Sequence, residues 1–233
     1  MNMKIKNMFI PFFYIIIVYI ILWQLVFLIL GDTDKVLLFG INIASGKAFP
    51  NIKELIIWNF VSIIPIACVQ ILFHFRCSTY IYLSLIRYAS TFKWHINNLF
   101  TFLFVIVCWY VYGGIIASNS NRKLMIIALC LNIIYSYSIV LVGISVYLIC
   151  KNIKAIIAVY ILISTVSLGF YREDTINRFV YGFFGMINRS DYVNKLYGFN
   201  TKSAIIAMFT LIIINIFFQY IYLKINKIDK MEE

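Results

Sequence analysis

The sequence predicts an all-α polytopic membrane protein with six transmembrane helices, both termini cytoplasmic and a short re-entrant or interfacial hairpin before the last span. Of its 233 residues, 63% are hydrophobic and 12% are charged, about half the charged fraction of a soluble domain. Mean hydropathy is +0.92. The Lys, Arg, Asp and Glu residues are spaced so that six long uncharged runs lie between them. So few charges cannot cover a water-facing globule of this size, which excludes an ordinary soluble enzyme. The abundance of aliphatic and aromatic residues excludes disorder.

A membrane helix needs about 20 mostly apolar residues to cross a hydrocarbon layer of ~30 Å. In order, the runs lie between Lys6 and Asp32, Glu54 and Arg76, Lys93 and Arg122, Lys123 and Lys151, Lys154 and Arg172, and Lys202 and Lys224. They place spans at approximately 8–30, 55–75, 96–117, 124–150, 155–171 and 203–223. The fifth is the shortest, at the lower limit for crossing. Two further apolar gaps, Arg76 to Arg87 and Arg178 to Arg189, are half that length and cannot cross as helices. A membrane β-barrel would show short alternating segments in place of these continuous runs. The first run is too long for a signal-peptide core and no A-x-A-like site follows it, so it reads as a mature span. The whole chain, 1–233, is thus one transmembrane domain.

Lys4 and Lys6 precede the first span, which favours a cytoplasmic N-terminus. On that topology ten of the 20 basic residues are inside, while Asp32, Asp34, Glu54, Glu173, Asp174 and Asp191 lower the charge outside. The net charge of +11 is dispersed over loop ends. It reads as anchors at anionic headgroups and not as a nucleic-acid stripe. Cys68, Cys77, Cys108, Cys130 and Cys150 lack CxxC spacing and fall in or beside apolar runs, so they read as packing residues, with no metal site.

Catalytic signatures are rejected one by one. GINIASGKA, residues 40–48, departs from a phosphate-binding loop because five residues separate Gly40 from Gly46 and Ala48 replaces the hydroxyl residue. Neither HExxH nor GxSxG occurs. The Asn188-Arg189-Ser190 triplet fits a glycosylation acceptor on three residues alone. An intramembrane enzyme would have His74, Cys77 and His95 as its best residues, an unconvincing set. No span carries a charged residue in its middle, which argues against an ion-coupled carrier. Gln24, Asn59, Gln70, Asn132, Asn215 and Gln219, with Ser136 and Ser138, are the polar residues inside spans. Interhelical hydrogen bonding is the default role for each, and the amides are the candidates for a substrate path. Gly113-Gly114 and Gly143 suggest close helix packing, and Pro65 interrupts the second span.

Two loops stand out. Residues 74–95 form the largest internal cytoplasmic loop, with Ile81, Leu85, Ala89 and Phe92 on one helical strip and Tyr80, Ser84, Arg87 and Thr91 on another. It reads either as a helix at the headgroup interface or as a docking element, and its alternation also permits an extended form. Residues 172–202 form the extracellular loop. Its RFVYGFFGMI centre is too apolar for a free loop and too short to cross, which fits a re-entrant or surface-lying helical hairpin.

Six spans in 233 residues, an amphipathic loop after the second span and an apolar half-membrane segment before the sixth resemble the permease subunit of type-2 ABC exporters. The Ile, Lys, Asn and Tyr bias and the stretch LIRYASTFKW at 85–94 are similar to permeases of bacteriocin or lantibiotic export and immunity systems. The resemblance implies a multi-pass subunit of the bacterial plasma membrane, not itself an enzyme and without a cofactor. ATP would be bound by a separate ABC ATPase subunit. A second permease chain, identical or not, would complete a path for a hydrophobic or amphipathic peptide. Arg76, Ile81, Leu85, Arg87 and Lys93, together with Lys151 and Lys154, would couple the ATPase to the spans. The alternative is a stand-alone immunity or sensor protein that binds a toxin through residues 170–200.

Overall fold

The computed structural model describes residues 14–15, 17–25, 39–40, 52–85, 91–116, 122–152, 154–169, 177–193 and 198–229. Among these the chain is helical, with one isolated bridge between Ser190 and Phe199 and no ladder. In order come α1 (Ile52–Leu85), α2 (Thr91–Ile116), α3 (Arg122–Cys150), α4 (Ala155–Gly169), three single 3₁₀ turns (Asn177–Phe179, Tyr181–Phe183 and Ile187–Arg189) and α5 (Thr201–Asp229). Residues 17–25, inside the first apolar run, are also helical.

Within these helices Glu54–His74, His95–Ile116, Arg122–Cys150 and Thr201–Ile225 are 21, 22, 29 and 25 residues long and apolar enough to cross a membrane. The chain is therefore consistent with a multi-pass membrane protein. The fifth run, expected to cross over 155–171, forms a helix of 15 residues. That is ~22 Å, short of the ~30 Å hydrocarbon core. Beyond it the backbone forms the three 3₁₀ turns in place of the expected helical hairpin. Gly182 and Gly185 let this backbone come close to its neighbours, because a Cβ on Gly182 would collide with Ser167 Oγ and one on Gly185 would lie 2.8 Å from the Tyr135 ring.

Residues 74–95 are not a separate element. α1 runs unbroken to Leu85 and α2 begins at Thr91, so 74–85 are the last turns of one helix and 91–95 the first turn of the next. Once a helix is nucleated by a long apolar stretch, adding residues costs little compared with starting a new one. The side chains of Arg76, Cys77, Ile81, Leu85 and Lys93, and all of Arg87, lie outside the described residues. Pro65 sits within α1, which continues through it.

Two tryptophans fasten the helices through backbone carbonyls. Trp109 Nε1 donates to Val61 O at 3.0 Å and Trp23 Nε1 to Trp109 O at 3.1 Å. The Tyr19 and Trp23 rings lie 4.7 and 4.9 Å from that of Trp109. Trp23 fits because Gly113 has no side chain, since a Cβ there would collide with the indole. Gly143 brings α3 against the α4 backbone at Ile156. The turn between these two helices is tight. Lys151 takes φ +53, its N–H donates to Tyr147 O at 2.7 Å, and Asn152 Oδ1 accepts from the Lys154 N–H at 3.0 Å.

Contacts between Val61 and Trp109 and between Phe73 and Phe102 make α1 and α2 antiparallel. Those between Tyr110 and Ser136 and between Gly114 and Leu129 do the same for α2 and α3. The α1–α2 tip and the Lys151–Lys154 turn therefore emerge on one face of the bundle, called here the turn face.

At Gly143 the obstacle to a side chain is the Ile156 Cα at 2.6 Å, whereas at Gly114 it is the mobile end of Leu129 at 2.8 Å. Gly143→Ala should lower stability by about 1–3 kcal/mol, and Gly114→Ala by clearly less, in thermal unfolding in detergent.

Candidate functional site

The bundle holds two buried polar clusters. The first joins three helices near the turn face. His95 of α2, Ser145 of α3, and Asn215 and Gln219 of α5 are all buried. His95 Nε2 lies 2.7 Å from Gln219 Oε1. Gln219 Nε2 donates to Leu141 O at 2.8 Å and to Ser145 Oγ at 3.0 Å. Ser145 Oγ donates to Asn215 Oδ1 at 2.7 Å, with Leu141 O at 3.0 Å as its alternative, and Asn215 Nδ2 donates to Leu211 O at 2.8 Å. These bonds fix the hydrogens. Reversing the Gln219 amide would set two oxygens against each other at Leu141, so its Oε1 must face His95, and His95 Nε2 must carry a hydrogen.

The second cluster lies around the middle of α3. Tyr110, Tyr135, Tyr160 and Tyr181 converge there from α2, α3, α4 and the second 3₁₀ turn. Tyr110 OH and Ser136 Oγ share a hydrogen bond of 2.8 Å, and Tyr160 OH donates to Asn59 Oδ1 at 3.0 Å. Tyr181 OH is hydrogen-bonded to Ser138 Oγ, and its ring lies 5.8 Å from that of Tyr135. Ser62 of α1 is wholly buried beside the Tyr110 and Tyr160 hydroxyls. Its Oγ reaches no partner at hydrogen-bond length among the described residues.

The 3₁₀ segment closes this second cluster. Val180, Gly182, Phe183, Phe184, Gly185, Met186 and Ile187 are buried. Its turns are held by i+3 bonds such as Phe184 N–H to Tyr181 O at 3.1 Å. Tyr135 and Ser138 lie ~20 Å along α3 from Arg122, close to its midpoint. Arg189, 3% exposed, stacks its guanidinium 4.1 Å above the Phe183 ring. Asn188 Nδ2 donates to Gly40 O at 2.9 Å, and Gly40 takes φ +87 under Met186. Asn188 of the acceptor-like triplet is thus spent on a backbone carbonyl, and Ser190 is buried.

No family model, curated protein or solved structure matches the chain.

The candidate path amides are not gathered along one channel. Gln24 is exposed on the outside of its helix. Gln70 Oε1 accepts from the Ile157 N–H at 2.9 Å, capping the first turn of α4 from a neighbouring helix. Asn132 Nδ2 donates to Ala128 O at 2.8 Å, within its own helix. Asn59 serves Tyr160, and Asn215 and Gln219 belong to the first cluster. Of the coupling residues, Lys151 and Lys154 are exposed at their turn. His74 is exposed while His95 is buried and bonded to Gln219. Among the described residues no three His, Cys, Asp or Glu side chains come together as a metal site. Sequence reading passed over Ser145, Tyr110, Tyr160 and Arg189. The serine was detectable from its register with Leu141 on α3, while the tyrosines looked like ordinary interfacial aromatics.

Double-mutant cycles put the coupling across a hydrogen bond between membrane helices at about 0.6 kcal/mol on average and up to about 1.7. A double-mutant cycle of Ser145→Ala with Asn215→Leu, read by denaturation in mixed micelles, should return a coupling in that range. The cycle of Thr165→Val with Asn215→Leu should return none, because Thr165 Oγ1 bonds only its own helix at Ile161 O.

Proposed function

We propose that the chain is the membrane-spanning permease subunit of an ATP-driven exporter of the type-2 ABC kind. It works in the bacterial plasma membrane with a separate ATPase and a second permease chain, and it expels a hydrophobic or amphipathic peptide. The observation that supports this reading is the shape of the turn face. α1 continues past the apolar stretch Glu54–His74 as far as Leu85, which carries its tip ~16 Å beyond the membrane-crossing part. The compact Lys151–Lys154 turn lies on the same face. One stiff projection with a compact turn beside it on the same face suits a soluble motor that must push on the helices and not merely bind them.

On this reading six spans cross the membrane with both termini on the turn face, which is cytoplasmic, and residues 177–190 enter the bilayer from outside. Irregular backbone is tolerated at that depth only when protein covers it, and the burial of Val180 and of residues 182–187 meets that condition. We assign Arg76, Ile81, Leu85, Arg87 and Lys93 of the stretch 74–95 joining α1 and α2, with the exposed Lys151 and Lys154, to the contact with the ATPase. The substrate meets hydroxyls, phenols and aromatic faces and no fixed charge in the second cluster, which fits an uncharged or amphipathic peptide segment.

An ABC ATPase should co-purify with the chain from native membranes in a nucleotide-dependent way. Ile81→Asp with Leu85→Asp, or Arg87→Glu with Lys93→Glu, should reduce recovery about tenfold, the effect of roughly 1.4 kcal/mol. Arg122→Glu with Lys123→Glu, on the opposite face, should leave it unchanged. Wild-type chain that captures no ATPase, or tip variants that capture as much as wild type, would defeat the reading. Orientation is checked separately in intact cells. A cysteine at Tyr192 should react with a membrane-impermeant maleimide, and one at Asn152 only after the cells are opened.

A further inference from the structure

We propose that α5 and the 3₁₀ segment 177–190 form a single lever, in which the His95–Ser145–Asn215–Gln219 cluster is a latch near the turn face and the segment is a plug over the tyrosine cluster, so that releasing the latch unseats the plug.

Three observations carry this. The first is that the end of the plug is bonded to Phe199, just before α5, through the backbone, and that the adjoining Asp191 side chain holds Thr201, the first residue of α5. Phe199 N–H donates to Arg189 O at 2.9 Å and Asp191 N–H to Phe199 O at 2.7 Å. Asp191 Oδ1 accepts from the Thr201 N–H at 3.0 Å and its hydroxyl at 2.6 Å, and Asn200 Oδ1 caps the helix by accepting from the Ser203 N–H at 3.1 Å. Any tilt of α5 therefore acts on the Arg189 end of the plug.

The second is the nature of the seam on the plug's other side. Tyr181 bonds Ser138, and Gly182 lies against the Ser167 hydroxyl. Ser136, Ser138, Tyr110 and Tyr160 line the cluster beneath. This hydroxyl part of the seam can exchange its protein partners for water at little net cost, while Val180, Phe183, Phe184, Met186 and Ile187 pack into the apolar core and keep the plug seated until the latch is released.

The third is how α5 itself is held. In its most apolar stretch 22% of residues lie inside the protein, against 44% to 56% for the other long helices. Its inward face is Ala204, Met208, Ile212, Asn215 and Gln219, so near the turn face its specific attachment is the latch. Gln219 lies ~27 Å along the helix from Thr201, which makes α5 a long arm between the latch and the plug. Hydrogen bonds between membrane helices are weak enough to exchange partners, as a latch requires.

The inference deepens the transport reading only in naming what pulls the latch, a motor docked on the turn face. Its test needs no motor, so failure of either leaves the other standing. The full chain is placed in lipid nanodiscs and backbone hydrogen exchange is followed by mass spectrometry. Gln219→Leu should speed exchange of amides 181–187 about tenfold through local opening, while amides 99–109 of α2 stay as in wild type. An increase confined to residues near 215–219, or no change at the plug, overturns the lever. Should Gln219→Leu fail to assemble into nanodiscs, Ser145→Ala takes its place. A smaller rise at the plug then supports the lever, and no rise overturns it.

Discussion

Where there is no water, a polar group must find its partner inside the protein or go without, and the architecture follows from that constraint. It makes the long runs helical, because a helix satisfies its own backbone. It sends the side-chain amides and indoles to backbone groups, as when Trp109 reaches Val61 O and Gln70 reaches the Ile157 N–H. It also explains why α5 keeps Asn215 and Gln219 inward while Ile206, Ile213, Ile214 and Phe217 face outward. In water that outward face would invite aggregation; against lipid it is the ordinary arrangement.

The same constraint separates two kinds of polar residue that look alike in a sequence. Gln70 and Asn59 complete bonds that a helix end or a phenol would otherwise lack, and Asn132 donates back to Ala128 O within its own helix, so all three are structural. Ser62 and the tyrosines of the second cluster are different, because several hydroxyls converge there and Ser62 Oγ, beside the Tyr110 and Tyr160 hydroxyls, reaches no partner at hydrogen-bond length among the described residues. Glycine makes the packing around them possible. At Gly182 and Gly185 the missing side chain lets an irregular backbone lie directly on α3 and α4.

The long apolar helices were legible because charge spacing measures them directly: Arg122 to Cys150 and Thr201 to Ile225 fall where the charges stop. The fifth run was harder, since its described helix, Ala155–Gly169, is shorter than the apolar gap between Lys154 and Arg172. The turns after it depend on a close approach to Ser167 that no single-residue property reveals. Residues 74–95 went astray for a related reason. Arg76 and Arg87 punctuate the sequence and suggest a separate element, yet the backbone of α1 passes Arg76 without a break. The amides were recognisable as hydrogen-bonding groups, but residue type does not say toward which helix a side chain points. Gln24 on the outer surface and Gln219 in the latch are the same residue at different angles around an axis.

The turn between α3 and α4 bears on how the chain enters its membrane. With Lys151 in a left-handed conformation and Asn152 closing the bend, the two helices fold back on each other as a closely joined hairpin. The shorter helix, marginal as an independent passenger, partitions instead as half of a pair whose other half is the long apolar helix α3. Gly143 against Ile156 packs the 15-residue helix directly onto α3, so the longer helix supplies in packing what the shorter one lacks in length.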